Sequence, residues 1–129
     1  VVVAARQSRL LLIRRAAGIV AGGAWCFVGG AIERGEDQPA AAAREFREEV
    51  GATLRLVRKV WEHTHPGGRL RLHWWLGVDV AEPLVADPAE VAEVRWCTPE
   101  EAERLPRLLS SNAEFLAALR RGEVSLRPE

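Results

Sequence analysis

The sequence has no methionine, no tyrosine and no net charge, since its 18 basic side chains balance its 18 acidic ones. A balanced chain creates no overall field that would attract nucleic acid or an anionic membrane. No apolar run approaches the roughly 18 residues that a membrane span needs, so we expect neither partner. Without methionine the sequence has no initiator, which predicts that residues precede Val1; a targeting segment among them is left open.

Cysteine is also scarce: the chain has two, Cys26 and Cys97, in otherwise apolar, strand-like runs. Such thiols favour buried packing in a reducing compartment over a disulfide, which predicts a cytoplasmic protein. The 129 residues, 48% of them hydrophobic, are enough for one compact domain with its own core. We therefore expect residues 1–129 to form one domain, as a monomer or a homodimer.

Apolar runs separated by turn residues predict an α+β protein. β-rich runs at residues 1–5 and 10–13 flank a polar break and predict a hairpin. A capping-box pattern from Thr98 to Glu101 predicts a short helix, and an apolar face predicts a last helix over residues 112–121. Further strands are predicted at residues 25–28, 54–61, 70–80 and 91–97.

The most highly charged stretch predicts a further helix, which ends before Gly51. Pro39 at its start, with Asp37 or Gln38 as the cap, marks its beginning. This helix carries most of the acidic side chains that bear on function.

Glu45, Glu48 and Glu49 fall within five residues of this helix. Positions three and four apart are neighbours on a helix, so the three carboxylates share one face and repel one another. Hard oxygen ligands at this spacing suit Mg²⁺ or Mn²⁺. The alternative is a solvated helix face on which Arg44 and Arg47 offset the glutamates.

Residues on both sides of these glutamates follow a fixed spacing, G-x5-E-x7-R-E-h-x-E-E-x-G-h, in which h is apolar. This is the spacing of the Nudix box, and the sequence resembles the Nudix hydrolase family. The chain departs from the family where Val28 replaces a common proline and where the last apolar residue is small, but neither departure removes a carboxylate. The fixed positions are Gly30, Glu36, Arg44, Glu45, Phe46, Glu48, Glu49, Gly51 and Ala52.

The resemblance implies the family's α/β/α sandwich, with a mixed β-sheet and the box helix at the active site. It also implies hydrolysis of a nucleoside diphosphate linked to another group, by metal-assisted attack of water on phosphorus. The implied ligands of Mg²⁺, with Mn²⁺ as the alternative ion, are Glu45, Glu48, Glu49 and the carbonyl of Gly29; Glu48 and Glu49 are also implied to be catalytic. The implied structural supports of the box are Gly30, Glu36, Arg44 and Gly51, with Arg44 pairing with Glu36.

Members of this family also use a glutamate on a late loop, as a metal ligand or a general base. We expect the catalytic residue to be Glu93 because of its spacing to Trp96, with Glu90 in reserve. For either one, the alternative is a solvated loop carboxylate with no role in proton transfer.

Outside the box, the run from Leu12 to Ala17, the ungapped thirteen residues to Gly30, the turn and tryptophan strand around residues 65–76 and Asn112 before the last helix occur in the order seen in the MutT-type nucleoside triphosphate diphosphatases, which the chain resembles. This implies that a (d)NTP or an oxidised dGTP is cleaved to a monophosphate and pyrophosphate. It also implies Arg15 near the phosphates and Asn112 at the base edge, and Phe27 is a further candidate, for stacking on the base. The alternative for Arg15 is a surface charge, for Asn112 a helix cap, and for Phe27 an aromatic side chain of the core. The rival functions are an ADP-ribose or other nucleotide-sugar pyrophosphatase, which Pro66 would suit, and an inactive nucleotide-binding module.

Overall fold

The computed structural model describes residues 1–64, 67–68 and 70–127. Pro66, the residue that would suit the rival ADP-ribose pyrophosphatase function, lies outside the described residues. No helix in the described part of the chain is long and apolar enough to cross a membrane. The strands are β1 (Val2–Arg6), β2 (Arg9–Arg15), β3 (Trp25–Cys26), β4 (Arg55–Thr64), β5 (Arg71–Val78) and β6 (Val91–Cys97), and the helices are α1 (Gln38–Val50), α2 (Pro99–Glu103) and α3 (Ser110–Arg120).

The strands form a mixed sheet in which β4, β5, β1, β2 and β6 lie side by side in that order, and the short strand β3 pairs with the end of β2. β1 is parallel to β5 and antiparallel to β2, which confirms the predicted hairpin. Gln7 and Ser8 form its two-residue turn with φ of 51° and 66°, the left-handed geometry that matches the twist of hairpin strands. β1 and β3 pair with the same edge of β2, β1 at its start and β3 at its end.

Helices cover both faces of this sheet, which confirms the predicted α/β/α sandwich. On one face, Phe115 of α3 stacks on Trp74 at a centroid distance of 4.4 Å. On the other face, Phe46 and Val50 of α1 are fully buried. Trp74 and its neighbour Trp75 therefore point into different cores, as the alternation of a strand requires.

The short strand β3 differs from its prediction over residues 25–28. Val28 makes only a single bridge, to Val2 of β1, and the regular pairing ends at Cys26. The expectation about cysteine is confirmed: Cys26 and Cys97 are both free and buried. They belong to the cores on opposite faces of the sheet.

Helix α1 begins and ends where the sequence predicts. The side chain of Asp37 accepts a hydrogen bond from the backbone N–H of Ala40 at 2.9 Å, which satisfies one of the free donors of the first turn. Gly51 ends the helix with φ of 67°, and its N–H donates to the carbonyl of Arg47 at 3.0 Å.

The loop between β5 and β6 is fastened to the end of α1. The N–H of Val85 donates to the carbonyl of Val50 at 2.8 Å, and that of Asp87 donates to the carbonyl of Glu49 at 3.0 Å. These bonds satisfy carbonyls that have no partner within the helix. A Cβ on Gly51 would lie 2.4 Å from the carbonyl oxygen of Val85, so only glycine lets the loop approach this closely.

Replacing Gly51 by alanine should therefore destabilise the protein more than Gly122→Ala. Both glycines have positive φ, 67° and 80°, a conformation that costs other residues about 1–2 kcal/mol. A Cβ on Gly122 would meet nothing within 4 Å, whereas one on Gly51 would also displace the loop. Urea unfolding of the two variants measures the difference, and equal losses would contradict the close packing of the loop on α1.

Candidate active site

Helix α1 presents its carboxylates to two environments. Because Phe46 is fully buried, Glu45 and Glu49 lie at the margin of the core, where Glu49 is 7% exposed. The carboxyl group of Glu49 is within hydrogen-bonding reach of Glu45. Glu48 points outward, with its side chain 56% exposed and 3.1 Å from Arg44. The structure thus brings Glu45 and Glu49 together, and Glu48 lines the same acidic cavity from a more exposed position.

The contact between Glu45 and Glu49 dominates the electrostatics of the site. Burial raises the pKa of Glu49 to about 9, and the hydrogen bond and negative charge of Glu45 add to this shift. The negative charge of Glu90 raises this pKa further by a smaller amount, whereas the positive charge of Arg15 lowers it. Two carboxylates this close cannot both be ionised at low cost unless a cation lies with them.

Arg44 holds the box together, and its predicted pairing with Glu36 is present. Its Nε donates to Glu36 at 2.6 Å, its Nη1 to Glu45 at 2.8 Å and its Nη2 to the carbonyl of Ala31 at 2.9 Å. The guanidinium holds the pKa of Glu36 below its usual range. A Cβ on Gly30 would lie 2.4 Å from the carboxyl carbon of Glu45, so glycine leaves the room that this carboxylate needs.

A divalent cation fits the chemistry of this donor set. Glu45, Glu49 and Glu90 line one acidic cavity of about 380 Å³, and their oxygens are of the kind that Mg²⁺ and Mn²⁺ bind. Within the described ranges, no three acidic, histidine or cysteine side chains converge closely enough to hold an ion as they stand. Arg44 donates to both Glu45, at 2.8 Å, and Glu48, at 3.1 Å.

The structure places Glu93 away from the box carboxylates and Glu90 beside them, which reverses the order expected from the sequence. Glu93 lies 2.7 Å from Arg95 and 3.3 Å from Arg14, and these hydrogen bonds hold its pKa below its usual range. Its neighbour Val94 packs into the core under α1, so strand alternation puts Glu93 on the opposite face of the sheet. Glu90 precedes β6 and lines the acidic cavity.

A second cavity, of about 510 Å³, shares Glu45 with the acidic one. Its walls are mostly apolar and come from β5, from residues 29–32 before α1 and from the first turns of α1 and α3. Ile32 and Leu70, whose side chains are largely exposed, stand among the lining residues. Gly29 also lines this cavity, and the role of its carbonyl as a metal ligand stays a prediction.

The structure brings the predicted substrate residues Arg15, Phe27 and Asn112 to this cavity. Arg15 is tethered by a hydrogen bond from its Nε to the carbonyl of Val20 at 2.7 Å. Phe27 is 3% exposed and packs edge-to-face with Trp74, so it offers little ring surface for stacking on a base. The roles of all three toward a substrate stay predictions.

Asn112 uses its side-chain amide inside the protein. Its Oδ1 accepts from the backbone N–H of Phe27 at 2.8 Å, and its Nδ2 donates to the hydroxyl of Ser111 at 3.1 Å. The helix-cap alternative does not hold, because α3 begins at Ser110 with Leu109 as its N-cap. Asn112 therefore ties α3 to the end of β3 and retains one amide hydrogen for a ligand.

Sequence reasoning missed Gln38 and Trp75 as cavity residues. The Nε1 of Trp75 donates to the Oε1 of Gln38 at 3.0 Å, and both side chains line the larger cavity. One signal was available: Gln38 lies seven residues, or two helical turns, before Glu45 and so shares its face of α1. Nothing in the sequence pairs Gln38 with a tryptophan on a distant strand.

The fold and the site define the class of protein. The chain belongs to the NUDIX domain family, whose profile matches residues 1–119. It is 37% identical to the CTP pyrophosphohydrolase of Escherichia coli (strain K12), over 78% of this chain and 75% of that protein. It is 34% identical to the RNA pyrophosphohydrolase of Erythrobacter litoralis, over 67% of this chain and 65% of that protein.

Solved structures agree. The solution structure of the E. coli ORF135 protein has a TM-score of 0.75 at 30% identity and covers 95% of this chain and 86% of its own. A MutT NUDIX hydrolase from Burkholderia pseudomallei has the same fold, with a TM-score of 0.63 at 24% identity, over 90% of this chain and 92% of its own. The chain is thus a Nudix pyrophosphohydrolase, an enzyme that acts on acid anhydrides.

Mg²⁺ should raise the melting temperature of the protein relative to excess chelator at pH 7. The ion replaces the proton on Glu49 and offsets the charges of both carboxylates, and a ligand at 100 times its dissociation constant adds about 2.7 kcal/mol of stability. Glu49 has a pKa of about 9 and holds a proton at pH 7 without metal. Glu49→Gln should therefore melt near the wild type in chelator but gain little from Mg²⁺.

The control is Glu100→Gln, which removes an exposed carboxylate at the start of α2. This variant should respond to Mg²⁺ as the wild type does. A full Mg²⁺ response in Glu49→Gln would mean that the ion binds elsewhere.

Proposed function

We propose that the protein hydrolyses the anhydride between the α- and β-phosphates of a nucleoside triphosphate, releasing a monophosphate and pyrophosphate. The observation that carries this proposal is the position of Glu45, which lines both the largely apolar cavity and the acidic one. A nucleotide has the same division into an uncharged base and a charged phosphate chain. The two cavities together match one such molecule.

Glu45, Glu49 and the carbonyl of Gly29 would hold Mg²⁺, or Mn²⁺ as the alternative, joined by Glu48 once its side chain turns from Arg44. When bound, the ion supplies positive charge that offsets the phosphate oxygens and makes a water molecule more acidic. Arg44 keeps Glu45 in position through a 2.8 Å hydrogen bond, the kind of support on which the affinity of a metal site depends.

Arg15 is the proposed phosphate-binding residue. Arg15 lines the same cavity as Glu45, and its positive charge partly opposes the rise in the pKa of Glu49, which supports a position near the phosphates. A guanidinium also matches the oxygens of a phosphate with two parallel hydrogen bonds. The tether to Val20 orients its Nε, so the group is partly ordered before a substrate binds.

Glu90 is the proposed general base. Its loop is fixed to α1 by the hydrogen bond between Asp87 and Glu49, and the carbonyl of Glu90 itself accepts from the N–H of Ala16 at 2.9 Å. Its carboxylate would take a proton from the attacking water. The water oxygen then bonds to phosphorus while the bond from phosphorus to the bridging oxygen breaks and pyrophosphate leaves.

The names of the relatives support a nucleotide substrate and leave the base open. They are named for CTP, for RNA and, in the relative from Mycolicibacterium smegmatis, for 8-oxo-(d)GTP. A (d)NTP and an oxidised dGTP are therefore both candidates. The cytoplasmic location, the monomeric or dimeric state and the absence of nucleic-acid partners stay predictions.

Glu90→Gln should lower kcat by about 10²-fold or more, the usual scale for the loss of a general base. Glu93→Gln is the matched control, because it removes the same charge three residues away on the opposite face of the sheet. It should leave kcat within a few-fold of the wild type. If Glu93→Gln is the more damaging change, the assignment of the base to Glu90 is wrong.

A product screen tests the reaction itself. With Mg²⁺, the protein should turn nucleoside triphosphates into monophosphates and pyrophosphate, and Glu49→Gln should remove most of this activity while Arg47→Gln, a change of an exposed charge on α1, should not. RNA with a 5′-triphosphate, ADP-ribose and nucleotide sugars complete the panel. ADP-ribose turned over faster than every triphosphate would transfer the assignment to the rival function.

A further inference from the structure

The larger cavity contains two side-chain amides whose orientations are fixed by their partners. The indole N–H of Trp75 can only donate, so the atom of Gln38 that faces it at 3.0 Å is the amide oxygen. The backbone N–H of Phe27 likewise only donates, so the atom of Asn112 that faces it at 2.8 Å is also the oxygen. Both amide oxygens of this cavity therefore already accept a hydrogen bond from the protein, and the orientation of each NH₂ group is fixed.

Gln38, Asn112 and Ser111 can offer hydrogen-bond donors to a ligand. Among the described residues, the amide nitrogen of Gln38 has no hydrogen-bond partner, so both of its hydrogens are free. In the part of the chain that the structure describes, Asn112 has one free amide hydrogen, and Ser111, whose Oγ accepts from Asn112 at 3.1 Å, has its hydroxyl proton free. Arg71, like Arg15 a charged donor of the same cavity, donates to Glu62 at 2.7 Å and to Thr64 at 3.3 Å.

The position of Gln38 relative to the carboxylates is that of a base-reading residue. It lies two turns before Glu45 on the same face of α1, or about 10 Å along the helix axis. Ala41 and Ala42, which line the cavity between them, are small and leave space for a sugar. A nucleotide whose phosphates reach Glu45 thus brings its base to the Trp75–Gln38 pair.

We propose that Gln38, oriented by Trp75, is a specificity-determining residue that donates to the nucleobase and selects a base edge made of adjacent acceptors. This inference rests on the proposed hydrolysis of nucleoside triphosphates. Cytosine presents such an edge with O2 and N3, and guanine presents one with O6 and N7. Uracil has an N–H between its two carbonyls, and 8-oxoguanine has an N–H at N7. In each of these bases a donor would face the NH₂ group of Gln38, which is also a donor, so the pairing is unfavourable.

The test compares kcat/KM for CTP against UTP and for dGTP against 8-oxo-dGTP. In the pair that contains its best substrate, the wild type should prefer CTP over UTP, or dGTP over 8-oxo-dGTP, by about tenfold or more. It should prefer neither UTP over CTP nor 8-oxo-dGTP over dGTP. CTP ahead of dGTP identifies cytosine as the favoured base, and the reverse order identifies guanine.

Two substitutions of Gln38 separate hydrogen bonding from charge. Gln38→Glu keeps an oxygen for the N–H of Trp75 but removes the donors, and Gln38→Met removes the donors without adding charge. Both should reduce the preference within the favoured pair to about threefold or less. Gln7→Glu makes the same charge change in the exposed β1–β2 turn and should keep the preference of the wild type. Thermal melting confirms that each variant is folded.

A binding measurement keeps this inference separate from the proposed reaction. Calorimetric titration with CMP, UMP and GMP in chelator needs no turnover, and Gln38→Glu should weaken CMP or GMP binding while leaving UMP unchanged. If no triphosphate is hydrolysed, the proposed function fails and this titration alone decides the role of Gln38. UTP or 8-oxo-dGTP as the preferred substrate, or a base preference that survives in both Gln38 variants, would overturn the inference.

Discussion

The structure depends most on the contact between the carboxylates of Glu45 and Glu49 at the edge of a hydrophobic core. When both carboxylates are ionised their negative charges repel each other, and partial burial makes the repulsion stronger. Around them the protein places two compensating groups, Arg44 against Glu45 and Arg15 near Glu49. Neither removes the deficit at Glu49, whose pKa is raised to about 9. We propose that a cation bound beside these two carboxylates offsets their charge and that of a phosphate chain.

Several structural features support the contact between Glu45 and Glu49. The buried ring of Phe46 fixes the rotation of α1, and the missing side chain of Gly30 leaves room for the carboxylate of Glu45. Gly51 allows the β5–β6 loop to satisfy the last carbonyls of the helix. That loop brings Glu90 into the same cavity, so the end of one helix sets the positions of both the ligands and the proposed base.

Much of this arrangement could be predicted because it is local in sequence. The caps of α1 depend on residues within three positions of each terminus, and the pairing of Arg44 with Glu36 follows from the spacing of the box. The hairpin of β1 and β2 is equally local. These features are encoded by neighbours, so their prediction required no knowledge of strand pairing.

The features that could not be predicted depend on long-range register. Whether Glu90 or Glu93 faces α1 is decided by the alternation of β6 against β2, and the ion pairs of Glu93 form only in that register. Gln38 meets Trp75 across 37 positions of sequence, because β5 places that indole beside the first turn of α1. Asn112 resembles a helix cap in sequence, yet its amide binds the backbone after β3.

The central claim is that Glu45 and Glu49 are held together in order to bind a divalent cation. Anomalous diffraction from crystals grown with Mn²⁺ tests it most directly, because the signal identifies the ion and its ligands together. The account predicts a Mn²⁺ peak coordinated by carboxylate oxygens of both glutamates. A peak bound only by other side chains, or no peak at Mn²⁺ concentrations that support hydrolysis, would contradict it.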